Sequence, residues 1–134
     1  MTAHPGSRER TLDAATLRSV LAKIAESEEV PADARERALT EMLKFLDLSA
    51  EMMALGDDRR LVPSVPVDVA WHAFILHTRA YTEFCEEAYG GYLHHDPSPP
   101  DQPVGPGAVF EYLRTRVLME ERYGELDEEL WPLP

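Results

Sequence analysis

The sequence holds one cysteine, Cys85, so no disulfide can form within the chain. No stretch approaches the roughly 20 uninterrupted apolar residues that a bilayer span needs, and the opening "MTAHPGSRER" lacks the apolar core of a signal peptide. Bases are scarce: 13 Lys and Arg stand against 25 Asp and Glu, a net charge of −12. Phosphate binding needs a clustered basic surface, so nucleic acid is not an expected partner. An anionic membrane surface would repel the chain. Also missing are extended strand-like alternation, internal repeats, a glycine-rich phosphate loop, a CxxC pair, HExxH, a nucleophile elbow and GxGxxG. These absences point to a cytoplasmic protein without a motif-defined activity.

What is present is helical periodicity, in a chain whose 134 residues suit one domain. Residues 1–10 are polar and expected to be flexible, leaving 11–134 as the domain. Leu17, Val20, Leu21 and Ile24 fall at i, i+3, i+4 and i+7, with Thr11 placed to cap that first helix. "SEEVPAD" interrupts it, and Pro31 suits the first turn of a second helix carrying Ala38, Leu39, Met42, Leu43, Leu46 and Met53 on one side until Gly56. After the linker "DDRRLVPSVP", Ser64 or the turn at Pro66 starts a third helix. It runs from about Val67 to Tyr89 and is closed by Gly90-Gly91. A proline-rich stretch then leads to a fourth helix, roughly 107–123, presenting Val109, Phe110, Leu113 and Val117, with Gly124 after it. Trp131 in "ELWPLP" is available to pack back. The expectation is an all-α single-domain bundle of about four helices, with a long Pro/Gly-rich loop before the last.

The third helix carries the chemistry. "VDVAWHAFILHTRAYTEFC", residues 67–85, holds two histidines, a tryptophan, a tyrosine, an aspartate and the cysteine. At about 100° per residue, Trp71, Phe74, Thr78, Tyr81, Cys85 and Tyr89 share a broad aromatic face, while Asp68, His72, Arg79 and Glu86 line a polar stripe. If the helix is continuous, His72 and Cys85 lie about 20 Å apart along its axis and cannot hold one metal ion. Chemistry then divides between two ends.

At the first end Asp68 and His72 are one turn apart. A carboxylate that fixes one imidazole nitrogen raises the basicity of the other, which suits a metal ligand or a general base. The alternative is that Asp68 serves the helix N-terminus and His72 is structural. At the second end Cys85 precedes the two glycines and "HHDP" follows. A reversal there would bring His94 or His95 to Cys85, a thiolate–imidazole pair able to take zinc, iron or copper. The alternative is that Cys85 is a small buried hydrophobe and "HHDP" a polar loop. Neither His94 nor His95 would reach His72, about 27 Å from the turn on a straight helix.

The segment "VPSVPVDVAWHAFILHTRAYTEFCEEAYGGYLHHDP" resembles the glycine-rich-domain-containing protein family of plants and its small stand-alone bacterial relatives. The resemblance rests on Pro63-Ser64, Val67-Asp68, Trp71-His72, Thr78, Tyr81, Cys85, Gly90 and His95, within residues 62–97. It implies a domain linked in plants to stress and developmental responses, and it adds weight to Asp68, Trp71, His72 and Cys85. The glycine-rich tail is absent here, and Phe74 stands where family members often carry a second histidine.

Three functions follow. The first is a metal-binding domain or small tailoring enzyme with ligands from Asp68, His72, Cys85, His94 and His95. The second is a non-catalytic interaction module whose acidic surface or aromatic groove binds a partner protein or peptide; a homo-oligomer is the other partner expected. The third is a metal-free enzyme using Asp68 and His72 as its catalytic pair.

Overall fold

A computed structural model of the protein describes residues 10–96 and 106–134. Among these the secondary structure is entirely helical: α1 (Ala14–Ile24), α2 (Arg35–Ala54), α3 (Val65–Leu76), α4 (Thr78–Tyr89) and α5 (Pro106–Tyr123), with a short 3-10 turn (Ala32–Ala34) leading into α2. None of these helices is long and apolar enough to cross a membrane. The expected flexibility of residues 1–10 and the proline-rich loop fall mostly on residues 1–9 and 97–105, outside the described residues.

Each boundary has a local cause. Asp13, not Thr11, caps α1, because its carboxylate accepts from both the Thr16 amide and hydroxyl at 2.9 Å. Gly56, Gly90 and Gly124 follow the C-termini of α2, α4 and α5 with φ of 78°, 77° and 90°, a region that costs glycine least. Ser64 caps α3 by accepting from the Val67 amide. The continuous third helix expected over 67–89 is instead two helices. His77, at φ −86° and ψ 69°, leaves the helical region, and its Nδ1 meets the Ala73 carbonyl at 2.8 Å.

Helix α3 sits centrally, against α1, α2 and α4. It buries Val67, Ala70, Trp71, Ala73 and Phe74, while α4 buries Tyr81 and Cys85. Trp131 is fully buried and ties the C-terminal tail to α2 by donating to Glu41 at 3.0 Å. On α5 Thr115 and Met119 are fully buried and Tyr112, Leu118 and Tyr123 pack against the core, whereas Phe110, Leu113 and Val117 face out. A buried polar knot joins three elements: Asp47 of α2, 5% exposed, accepts from Arg10 at 2.7 Å and from the Tyr89 hydroxyl at 2.5 Å.

Candidate functional site

The break at His77 decides the site. On one straight helix Asp68 and Gly90 would be about 33 Å apart, and an extended run from Gly90 to His95 spans only about 17 Å. In the structure His95 Nε2 lies 2.7 Å from Asp68 Oδ1. Because α4 turns away from α3, the chain that reverses at Gly90 runs back along α4 and continues onto the first turns of α3.

Three contacts hold that returning segment. Trp71 Nε1–H donates to the Tyr81 hydroxyl at 3.0 Å, and the Tyr81 O–H donates to the Leu93 carbonyl at 2.5 Å. Two residues further on, the His95 imidazole stacks on the Trp71 indole, with ring centroids 4.0 Å apart and 6° between planes. The third is the Asp68 bond, in which the ring N–H donates to the carboxylate. Burial pushes the Tyr81 phenol well above the ordinary tyrosine range, so it stays a neutral relay between indole and carbonyl.

The segment forms one wall of a cleft of about 390 Å³. Phe45, Met52 and Met53 from α2, the linker around Arg59 to Leu61, and Trp71 complete the lining. The linker is pinned by Asp57, whose carboxylate accepts from Arg59 and from Arg114 of α5. Those guanidiniums, Arg59 foremost, hold its carboxyl well below the usual range. Val62 is fixed as well, its amide donating to Thr115 of α5 at 2.9 Å.

The candidate residues separate accordingly. Asp68 and His95 come together. His72 is exposed, so the expected Asp68–His72 pair is replaced by Asp68–His95. No hydrogen bond joins His94 or His95 to Cys85 among the described residues. His94 is exposed and packs edge-on against Tyr92, and Cys85 is a fully buried free thiol beside Tyr81. Among the described residues, no three His, Cys, Asp or Glu side chains are gathered to hold a metal ion. Tyr81, placed by the sequence only on an aromatic face, is the relay, and no motif in the sequence singles out Arg59, Arg114 or the Leu93 carbonyl. The Trp71–Tyr81 spacing of ten residues reads as one helix face only if His77 is helical, and that assumption hid the relay.

A family model described as UCP032817-like matches residues 7–100, well over half of the chain. The chain belongs to the UCP032817-like family. That match corrects the expected kinship with the glycine-rich-domain-containing proteins: residues 62–97, which carried the resemblance, lie inside a different family's model. Its span takes in Asp68, Trp71, Tyr81 and His95 and stops before α5. No curated protein and no solved structure matches the chain.

Proposed function

We propose that this member of the UCP032817-like family is a cytoplasmic single-domain helical bundle over residues 11–134, in which the proline-rich connection precedes α5. Its cleft binds a small organic molecule and exchanges a proton with it through His95. One observation carries this reading: the His95 ring is clamped between the Asp68 carboxylate and the Trp71 face in the cleft wall.

The chemistry follows from the clamp. Asp68 sits in the first turn of α3, where the exposed amide ends favour a carboxylate. Accepting from Nε2–H, it selects the tautomer whose Nδ1 carries the lone pair, and it stabilises the imidazolium once Nδ1 takes a proton. Nδ1 has no partner among the described residues. Trp71 fixes the ring plane, and the His95 side chain is only 16% exposed.

Hydrolysis of p-nitrophenyl acetate by chelator-treated protein is the test. His95 would take a proton from water as it attacks the ester carbonyl, and p-nitrophenolate would leave. Turnover above that of free imidazole, lost in His95→Ala with helical circular dichroism retained, is expected. Equal rates in the two proteins would reduce Asp68 and His95 to a clasp for the 92–96 segment.

A metal at the same place would have two protein ligands, Asp68 and His95, where zinc sites use three or more. Stoichiometric zinc, iron or copper in untagged protein would displace the metal-free reading.

A further inference from the structure

Helix α5 turns the wrong face outward for a helix packed only on its own domain. Phe110 is 72% exposed, Leu113 36% and Val117 55%, whereas Thr115 and Met119 are fully buried. The three exposed residues stand at i, i+3 and i+7, the spacing of an apolar stripe that normally faces a core. Contiguous exposed apolar surface of this kind marks interaction sites.

Charge decides the occupant. The three bases of α5 are engaged within the molecule: Arg114 on Asp57 at 3.2 Å, Arg116 on Glu128 at 3.1 Å and Arg122 on Glu51 at 3.1 Å. Arg116 also donates to the Trp131 carbonyl. Glu120 and Glu121 are exposed and have no partner among the described residues. At about 100° per residue Glu120 falls close to the direction of Leu113, and Glu121 close to that of Phe110. The outer face is therefore apolar over its first turns and acidic at its end, on a chain of net charge −12. A second copy would bring the same two glutamates and the same excess charge, with no uncommitted α5 base to meet them.

We propose that this face docks a basic amphipathic helix of a partner protein. Apolar side chains at helical spacing would cover Phe110, Leu113 and Val117, and Lys or Arg would meet Glu120 and Glu121, in the manner of a helix laid against an apolar stripe. This surface is independent of the cleft and stands or falls without it.

The probe is a fluorescently labelled peptide of Leu and Lys at amphipathic helical spacing, with a matched peptide carrying Glu for Lys, each titrated into the full chain by anisotropy. The Leu/Lys peptide should bind and its Glu counterpart should not. Phe110→Ser, Val117→Ser and the double change Glu120→Lys/Glu121→Lys should each weaken binding at least tenfold, and added salt should weaken binding to the wild type. These side chains are exposed, so circular dichroism should stay that of the wild type. Binding to Phe110→Ser and Val117→Ser as tight as to the wild type would mean attraction to charge alone and would overturn the proposal. So would sedimentation showing a wild-type dimer that Val117→Ser converts to monomer, because the stripe would then belong to a second copy.

Discussion

His95 lies flat on Trp71, ring centroids 4.0 Å apart, although 24 positions separate them in the chain. The stack joins a loop residue to the most central helix, and it exists only because α3 and α4 part at His77. The indole is fixed at its edge by the Nε1–H bond to Tyr81, so the imidazole rests on a surface that is itself held. His95→Ala should change the emission of Trp71, read in a Trp131→Phe background, while leaving helical circular dichroism intact. Emission identical to that of the parent would argue that the stack does not form in solution.

Asp68→Asn isolates the charge from the geometry. The amide oxygen can still accept from Nε2–H, so the segment stays docked, but the imidazolium loses its counter-charge. Ester hydrolysis should fall by about tenfold or more while Trp71 emission, which reports the His95 stack, stays that of the parent. Altered emission together with undiminished turnover would be the reverse of this expectation, with Asp68 serving only to hold the segment.

Tyr81→Phe removes one oxygen and strands two buried groups, the Trp71 N–H and the Leu93 carbonyl. Each unpartnered group costs about 1–3 kcal/mol. A loss of about 2–4 kcal/mol in urea unfolding is expected, larger than an ordinary surface substitution. A loss below about 1 kcal/mol would mean that water replaces the hydroxyl.

The Arg10–Asp47–Tyr89 knot predicts that Arg10 contributes to stability although it precedes α1. Arg10→Ala leaves a carboxylate that is 5% exposed with only the Tyr89 hydroxyl. Breaking a fully buried pair costs about 3–5 kcal/mol. The Arg10 side chain is 26% exposed, so about 2–3 kcal/mol is the expected loss in urea unfolding. Tyr89→Phe, which keeps the ion pair, should cost less.

Local signals in the sequence set most of the helix ends. Ser64 and the three helix-ending glycines act through backbone chemistry within a few residues. The break at His77 carries no Pro or Gly, so a breaker-based reading passes over it. Its trace is a change of pattern: "VPVDVAWHAFIL" is apolar on nearly every side, whereas "TRAYTEFCEEAY" is apolar on one. That change marks where a core-spanning helix gives way to one lying on the surface. Asp68–His95 was hidden for the same reason, since reach along a straight helix forbids it. The outward Phe110, Leu113 and Val117 failed differently. Their spacing is correct for a helix, but periodicity gives a face, not its direction. Thr115 and Met119 hold the inner side because the linker amide of Val62 needs the Thr115 hydroxyl.

Four tyrosines should report the integrity of the fold at high pH. Burial raises the phenols of Tyr81, Tyr89, Tyr112 and Tyr123 above the ordinary value of 10.0, and for Tyr89 the bond to the Asp47 carboxylate adds to it. A group whose folded value exceeds its unfolded one holds its proton in the folded state longer than the free chain does. Its contribution is complete below about pH 10 and is lost as pH rises from there toward the folded value. Unfolding should therefore become steadily easier above about pH 10, with tyrosinate absorbance from these four residues appearing in step with the loss of helical circular dichroism. If all five tyrosines of the chain ionised near pH 10 while the helical signal held, the Trp71–Tyr81–Leu93 relay and the Asp47 knot would both have to be open to solvent, and the clamp on His95 would lose its support.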